Sequence, residues 1–199
     1  VNRLPRSRRL HPIDDIQVLS PMRRSITGVE ALNHQLQSRL NPASPNKPEI
    51  SLGERVIRLG DKVMQIKNNY AKMVFNGDVG RVVDLDTDEG VLTVLYNDAE
   101  ANRRVRYEFS ELDELVTAYA ISVHKSQGSE YRAVVLPFTT QHFMMLQRNL
   151  LYTAITRARE LVVLVGSGKA IAIAIKNATT QERYSGLQDH LHGAYGTET

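Results

Sequence analysis

Residues 124–131, HKSQGSEY, place charged and polar side chains directly after an apolar run, where α/β folds bind their ligands. The side chains in and beside this segment that can donate to phosphate oxygens are Ser122, His124, Lys125, Ser126 and Gln127. Gly128 would let the backbone approach an anion because it has no Cβ atom. Glu130 needs a donor instead, such as a ribose hydroxyl or an arginine. The alternative is a polar turn that only caps a helix, with Ser126 or Ser129 as the capping residue.

A second segment that could bind phosphate is LLYTAITRARE, residues 150–160. Arg157 and Arg159 are two positions apart, so a helix would point them towards different faces. One of them could then bind a ligand, while the other pairs with solvent or with Glu160. The alternative is two solvated arginines at a helix C-terminus, where the helix dipole favours positive charge.

A third segment, LSPMRRS at residues 19–25, also carries arginines at the end of a predicted strand. Arg23 and Arg24 are adjacent, so at most one of them would face a shared ligand. The alternative is a basic helix start, although the helix dipole disfavours positive charge at that position.

The segment GSGKA, residues 166–170, resembles a phosphate-binding loop only in part. The full pattern requires a glycine where Val163 stands and a hydroxyl where Ala170 stands, and alanine cannot coordinate Mg²⁺. We therefore predict an ordinary strand-to-helix turn here. The sequence contains no other candidate, so this chain is expected to lack a complete nucleoside triphosphate site of its own.

Strands and helices that alternate along the chain would position these segments, which predicts an α/β fold with a parallel sheet. The predicted strands are at residues 16–19, 116–123, 131–138 and 160–166, the last apolar on both faces. The predicted helices are at residues 25–41, 146–159 and 169–178, the first with Val29, Leu32, Leu36 and Leu40 at helical spacing. These elements account for residues 13–76 and 116–192 as one α/β domain.

Residues 77–115 have a different character and predict a small β-rich insertion in that domain. Three segments, one between the turn signals FNGD and DEG and two after them, alternate apolar and polar residues, as short antiparallel strands do. A further strand is expected in GDKVMQIKNN, residues 60–69, just before the insertion. The ends of the chain are expected to be a basic linker from an upstream domain, residues 1–12, and a loose tail, residues 193–199.

Charge is distributed unevenly although the net charge is only +3. Six arginines lie in the first 24 residues and ten acidic residues lie between positions 84 and 114, so a phosphate-rich partner suits the first region better. Ordinary surface patterning is an equally good explanation. The chain has no cysteine and no run of 18 apolar residues, so we expect a cytoplasmic protein without a membrane partner.

Three of these segments resemble, in order, the fourth, fifth and sixth motifs of superfamily 1 helicases. They are VLSPMRRSITGVEALNHQLQ, AYAISVHKSQGSEYRAVVL and RNLLYTAITRARELVVLVG. The amino-acid sequence of these segments is most similar to that of the RecD-like branch, which comprises the exodeoxyribonuclease V alpha subunit and ATP-dependent RecD-like helicases. The segment GDKVMQIKNNYAKMVFNGDVG is also characteristic of that branch, and the resemblance extends over residues 15–177.

The resemblance implies a C-terminal fragment that holds the second of two RecA-like motor domains, interrupted by an SH3-like β-barrel. The cofactors it implies are ATP and Mg²⁺, with the phosphate-binding loop and the Mg²⁺ ligands in the missing N-terminal motor domain. This chain alone is therefore expected to have no metal site and no ATPase activity.

The resemblance also assigns roles to individual residues. Arg157 would be an arginine finger that reaches the γ-phosphate, and either Arg23 or Arg24, with Arg24 favoured, would be a second phosphate contact. Gly128 and Glu130 would meet the phosphates and ribose of the nucleotide. The residues implied to contact single-stranded DNA are Ser122, His124, Lys125, Ser126 and Asn76.

The function implied is a DNA helicase with 5′→3′ polarity that acts in DNA repair and recombination. Its expected partners are single-stranded DNA, fork or duplex DNA, the N-terminal motor domain, and the subunits of a nuclease–helicase complex. Two alternatives stay open. One is a non-catalytic nucleic-acid-binding scaffold with a degenerate motor lobe, and the other is the helicase part of a conjugative relaxase.

Overall fold

A computed structural model describes residues 3–97 and 102–178, which form a four-stranded parallel sheet with helices, a five-stranded antiparallel sheet and a two-stranded antiparallel hairpin. The helices are α1 (Arg3–Arg8), α2 (Val29–Leu40), α3 (Arg148–Ile155) and α4 (Gly168–Lys176). The first six strands are β1 (Ile16–Ser20), β2 (Glu49–Leu52), β3 (Arg55–Arg58), β4 (Lys62–Gln65), β5 (Val79–Asp86) and β6 (Val91–Asn97). The remaining strands are β7 (Asn102–Glu108), β8 (Leu115–Thr117), β9 (Ala120–Ser122), β10 (Tyr131–Phe138) and β11 (Ala158–Gly166). The tail predicted at residues 193–199 lies outside the described residues.

The parallel sheet has the strand order β11-β10-β1-β9, and all three neighbouring pairs are parallel. Its core is formed by apolar side chains from β1 and β10, including Leu19, Leu136 and Phe138, with residues of α3 and α4 such as Ala154 and Ala170. The α/β class predicted from the sequence is therefore confirmed. Strand β10 coincides with its predicted range, and β1 extends one residue further than predicted.

Strand β11 differs from its prediction as a strand covered on both faces. It is the outer strand of the sheet among the described residues, and Val165 is 52% exposed. An apolar run is compatible with an inner or an outer strand, because composition does not fix the strand order. The GSGKA segment that follows is the expected strand-to-helix turn, in which the Ser167 side chain accepts a hydrogen bond from Ala170 N.

The apolar run at residues 116–123 is not one strand, as the sequence suggested, but parts of two. Its first half ends β8 of the antiparallel sheet, and its second half forms β9 of the parallel sheet. At the crossing, Ala118 N donates to Lys62 O at 2.8 Å. The Gln17 amide donates to the carbonyls of Ala118 and Tyr119 at 3.1 and 3.2 Å. These bonds satisfy the backbone where the chain passes from one sheet to the other.

The antiparallel sheet has the order β7-β6-β5-β4-β8, and a separate β2–β3 hairpin accompanies it. It is larger than the predicted insertion at residues 77–115, because it includes β4 and extends to Thr117 in β8. All four residues of β4 are buried. A strand buried on both faces lacks the alternation by which the other insertion strands were predicted.

Helix α2 buries amide side chains where its sequence suggested an apolar face. Leu32 and Leu36 are only partly buried, whereas Asn33 and Gln37 are each 6% exposed. The Asn33 amide makes a pair of hydrogen bonds to the backbone of Ala120 in β9, as donor at 2.8 Å and as acceptor at 2.9 Å. The helix is thus attached to the edge of the parallel sheet by a side chain that mimics a neighbouring strand.

A fully buried carboxylate, Asp61, joins α2 to the β3–β4 turn and to the crossing between the sheets. It accepts hydrogen bonds from Gln37 and Asn41 at 2.6 Å each, from the Tyr119 hydroxyl at 2.7 Å, and from Arg58 N at 2.8 Å. Burial and the adjacent Asp61 charge raise the pKa of Tyr119, so it stays a donor. A buried charge is tolerated when donors surround it in this way.

Replacing Asp61 with alanine should destabilise the fold by roughly 2–4 kcal/mol, because the donors from Gln37, Asn41 and Tyr119 lose their acceptor and a buried donor left without a partner costs about 1–3 kcal/mol. The measurement is the free energy of unfolding in urea. Asp88→Ala, which removes an exposed carboxylate, is the control and should change that free energy by less than about 0.5 kcal/mol. Equal losses in the two variants would contradict the structural role of Asp61.

Lys62 is a buried lysine that connects β4 to the segment before β1. Its ammonium donates to Ile13 O at 2.8 Å. Burial lowers its pKa to about 8, although the negative charges of Asp14 and Asp15 act in the opposite direction. Between this value and the ordinary 10.5, the unfolded chain holds the proton and the folded chain has released it. The folded state should therefore gain stability as the pH rises through this range.

We expect the free energy of unfolding of the native protein, relative to Lys62→Met, to increase by roughly 1–3 kcal/mol between pH 7 and pH 10. The relative measure cancels the other groups that titrate in this range, including the tyrosines. Lys169→Met, which removes an exposed lysine, serves as the control and should show no such trend. A difference that stays constant with pH would show that Lys62 keeps its proton.

Candidate functional site

The candidate site lies where β1 and β9 end side by side at one edge of the parallel sheet. Ser20 is paired with Ser122, and Val123 N donates to Ser20 O at 3.1 Å. The chain then makes a short 3₁₀ turn, His124–Ser126, and a loop that leads into β10. The segment with Arg23 and Arg24, which follows β1, and the segment HKSQGSEY, which follows β9, therefore start from neighbouring positions, as expected for parallel strands.

Ser122 and Ser126 stabilise the turn itself. The Ser122 hydroxyl accepts a hydrogen bond from Lys125 N at 3.2 Å. Ser126 is fully buried, and its hydroxyl donates to Val123 O at 2.7 Å. The expected contact of Ser126 with DNA therefore conflicts with its position, because a buried hydroxyl that closes a turn has no surface to offer a ligand. Ser122 keeps a partly exposed position.

His124, Lys125 and Asn76 form an exposed surface beside the turn, although Asn76 comes from the loop between β4 and β5. The Lys125 ammonium donates to the Asn76 side-chain oxygen at 2.5 Å. Asn76 N in turn donates to the Asn68 side chain at 2.9 Å. The structure thus brings together three of the residues predicted to contact DNA, and it does so by joining the two sheets.

A groove runs between this turn and the start of α3. Its walls are formed by Val123, His124, Gln127, Met145, Gln147, Asn149, Leu150 and Thr153. The sequence analysis did not predict Gln147 and Asn149 as site residues. Their position just before and at the start of a predicted helix was the signal that could have indicated them. The groove extends the exposed surface of His124 with amide and hydroxyl groups, which can bind phosphate or sugar oxygens.

Gly128 adopts a left-handed backbone conformation with φ +85°. A Cβ atom built on it would meet nothing within 4 Å. The glycine is therefore required by the turn of the chain, and the space in front of it is open. An open, unobstructed backbone suits the predicted approach of a phosphate group.

Arg157 connects the end of α3 to this glycine loop. Its guanidinium donates to Ser129 O at 3.2 Å, to Thr153 O at 3.3 Å and to the Thr156 hydroxyl at 3.3 Å. Its own carbonyl accepts from Tyr131 N at 2.8 Å. The side chain is half-buried and held against the residues that follow Gly128. Arg157 and the Gly128–Glu130 loop, two predicted parts of a nucleotide site, are thus in direct contact.

Arg157 and Arg159 do not lie on two faces of one helix, as their spacing suggested. Helix α3 ends at Ile155 and β11 begins at Ala158, because this strand pairs with β10 immediately. Arg159 pairs with Glu130 at 2.9 Å rather than with Glu160, and both members of the pair are exposed. An exposed ion pair contributes only about 0–1 kcal/mol, so a ligand hydroxyl could replace the arginine at small cost.

Arg23 and Arg24 are solvent-exposed, 83% and 91% by side chain. Each guanidinium lies 4.0 Å from the Glu30 carboxylate. The two adjacent arginines therefore face the same partner, although their adjacency suggested that only one could do so. Their loop follows β1 at the same edge of the sheet as Gly128. The structure therefore leaves both arginines available and does not select between them.

No group of three or more histidine, cysteine, aspartate or glutamate side chains in residues 3–97 and 102–178 could hold a metal ion. No helix in the same ranges has both the length and the apolar character needed to cross a membrane.

Two family models match the chain. The model described as the ATP-dependent RecD-like DNA helicase SH3 domain matches residues 32–96. The model described as the UvrD-like helicase C-terminal domain matches residues 117–165. The first match spans α2 to β6, and the second spans the turn, the groove and Arg157.

Two curated relatives also have RecD names. The chain is 40% identical over 159 residues to the ATP-dependent RecD2 DNA helicase of Deinococcus radiodurans, covering 80% of this chain and 21% of the relative. It is 30% identical over 185 residues to the RecBCD enzyme subunit RecD of Mycolicibacterium smegmatis, covering 93% of this chain and 31% of the relative. The chain therefore spans about a fifth to a third of the length of these relatives.

A solved structure shares the fold. It describes DNA unwinding at forked duplex DNA by two coordinating Pif1 helicases, and it superposes with a TM-score of 0.56 at 19% identity. The match covers 95% of this chain and 45% of that one. At this identity the match shows the fold alone, whereas the two family models and the curated relatives show that the chain consists of a RecD-like helicase SH3 domain and a UvrD-like helicase C-terminal domain and is homologous to RecD2 and RecD.

Proposed function

We propose that this chain is the second motor half of an ATP-dependent helicase that moves along single-stranded DNA and unwinds duplexes. The observation that carries the proposal is the single loop from Ser122 to Glu130. One end of this loop, with Lys125, contacts Asn76 on an exposed surface, and the other end contacts Arg157. A loop with one end suited to DNA and the other to a nucleotide could couple the two ligands.

On the nucleotide side, the open backbone at Gly128 would face phosphate oxygens and Glu130 would accept from a ribose hydroxyl. ATP, when bound, supplies a γ-phosphoryl group whose transfer to water develops negative charge. Arg157 would stabilise that charge as an arginine finger, with either Arg24 or Arg23 as a second contact. Without nucleotide, Arg157 donates to two backbone carbonyls and one hydroxyl, and it would exchange some of these acceptors for phosphate oxygens.

The remaining half of the nucleotide site would come from a first motor domain. We propose that this domain supplies the phosphate-binding loop and the Mg²⁺ ligands, since GSGKA at residues 166–170 lacks the required glycine and hydroxyl. The small share of its relatives' length that this chain covers is consistent with such a division. The chain alone would then not hydrolyse ATP.

On the DNA side, His124, Lys125, Asn76 and Ser122 would contact the sugar–phosphate backbone, with the groove along α3 as an extension. Backbone contacts carry little sequence information, so binding should depend weakly on sequence and strongly on salt. The 3₁₀ turn between the two ends is short and closed by the buried Ser126 hydroxyl. A change in the grip on phosphate at one end would therefore move the other end directly.

The stepping mechanism follows from this coupling. ATP would favour a closed arrangement of the two motor domains because it contacts both, and its differential affinity for that arrangement would bias each step. Hydrolysis would remove the γ-phosphate contact of Arg157 and allow reopening. We further propose 5′→3′ polarity, a role in repair and recombination, and association with the subunits of a nuclease–helicase complex in the manner of RecD.

Arg157→Ala should lower the DNA-stimulated ATPase kcat of the whole protein by about 10³-fold or more, because the transition-state charge loses its partner. Affinity for single-stranded DNA should remain within about twofold, since Arg157 lies on the nucleotide side. Arg132→Ala, which removes an exposed arginine of β10 that is paired with Asp15 and Glu160, is the matched control. Near-native turnover of Arg157→Ala would refute the finger assignment.

Lys125→Ala should weaken binding to single-stranded DNA and reduce the dependence of log K on log salt by about 0.7, the value for one phosphate contact. The KM for ATP should not change. Lys169→Ala is the control, because Lys169 is an exposed lysine of the incomplete phosphate-binding pattern. It should alter neither DNA binding nor hydrolysis. An unchanged salt slope in Lys125→Ala would exclude a phosphate contact by this ammonium.

A further inference from the structure

The loop between β4 and β5 exposes large apolar side chains beside the proposed DNA surface. Tyr70 is 72% exposed, Met73 is 59% exposed and Phe75 is 38% exposed. Single exposed apolar residues are normal, but three within six positions make a local patch of the kind that marks binding surfaces. The neighbouring Val74, by contrast, is fully buried in the core of the antiparallel sheet and anchors the loop.

Hydrogen bonds hold this loop in one shape. Asn69 and Val74 exchange two backbone hydrogen bonds, at 2.8 and 3.1 Å. Between them, Met73 N donates to Tyr70 O at 3.3 Å, and Met73 itself has a left-handed φ of +54°. Phe75 N donates to the Asp78 carboxylate at 2.9 Å. The exposed side chains are therefore presented by a fixed backbone, which lowers the entropic cost of binding a ligand.

The rings of Tyr70 and Phe75 contact each other edge to face, with centroids 5.9 Å apart and an angle of 74° between the planes. This contact orients Tyr70 while most of its surface stays exposed. An oriented, exposed aromatic ring is what single-strand-binding proteins use to stack nucleobases without sequence preference.

The aromatic pair is directly connected to the proposed DNA surface. Phe75 precedes Asn76, whose side chain receives the hydrogen bond from Lys125. The lysines of the loop region are already paired with carboxylates, Lys67 with Asp113 and Lys72 with Glu111. The loop is therefore suited to contact a base, whereas Lys125, whose partner Asn76 is neutral, is suited to contact a phosphate.

We propose that Tyr70, supported by Phe75, stacks on an unpaired nucleobase of the strand whose backbone Lys125 contacts. This subsite rests on the proposed DNA-binding function and adds a base contact to it. It would hold one nucleotide between the antiparallel sheet and the loop from Ser122 to Glu130. Because every base has an aromatic face, the subsite would add affinity without adding sequence preference.

The test uses the whole purified protein and fluorescence anisotropy with two labelled oligonucleotides. One is oligo(dT), and the other has the same backbone with a central run of abasic sites. Tyr70→Ala should bind oligo(dT) about tenfold more weakly than the native protein. On the abasic strand, Tyr70→Ala and the native protein should bind equally, because the base that stacks is absent. Tyr70→Trp retains a ring and should retain the affinity for oligo(dT).

Phe143→Ala is the matched control, because it removes an aromatic side chain of similar exposure, 63%, from the Thr140–Met145 turn. It should bind both oligonucleotides like the native protein. Thermal unfolding of Tyr70→Ala should match that of the native protein, since the ring is exposed.

Three outcomes would overturn the subsite. Tyr70→Ala could bind oligo(dT) like the native protein, or lose equal affinity for both strands, or lose only the binding of a protein partner. In each of these cases the native protein still binds and unwinds DNA, so the proposed function survives. If the native protein itself does not bind single-stranded DNA, the proposed function fails as well.

Discussion

The proposed DNA surface depends on how the two sheets are joined, and the buried Asp61 carboxylate is central to that junction. It takes hydrogen bonds from α2, from the β3–β4 turn and from Tyr119 at the crossing between the sheets. A carboxylate in a dry interior is stable only when its donors are in place, so it permits one arrangement of these elements. The contact of Lys125 with Asn76 is possible only in that arrangement, because each sheet supplies one of the two residues.

Within the site, hydrogen bonds between side chains and the main chain position the loop. Several of the predicted site residues are therefore already engaged in the fold. The Ser126 and Ser122 hydroxyls each make a hydrogen bond with the main chain of the turn. The Arg157 guanidinium donates to main-chain carbonyl groups, which a phosphate group could replace as acceptor. The exposed ion pair of Glu130 with Arg159 is also weak enough for a ligand to replace one partner. The proposed motor function needs contacts that can be exchanged at low cost, because each ATPase cycle would break the contacts that it has formed.

The sequence was sufficient for the local features of this fold but not for its long-range contacts. Alternation and apolar runs predicted β1, β10, α4 and most of the insertion, and the motif order indicated the family. The junction was not predictable, because Asp61, Asn33 and Gln37 are ordinary polar residues until distant donors and acceptors surround them. The prediction of a single strand at residues 116–123 was wrong for the same reason, since local composition cannot show that the two halves of this run pair with different sheets.

The central place of β1 in the parallel sheet has a consequence for the order of folding. Its Gln17 bonds to a residue 101 positions later in the chain, whereas the antiparallel sheet between them forms mainly from neighbouring strands. Distant pairings fold slowly because a long loop must close first. We expect the antiparallel sheet to form early and to shorten that loop, so that it also acts as a folding template for the parallel sheet.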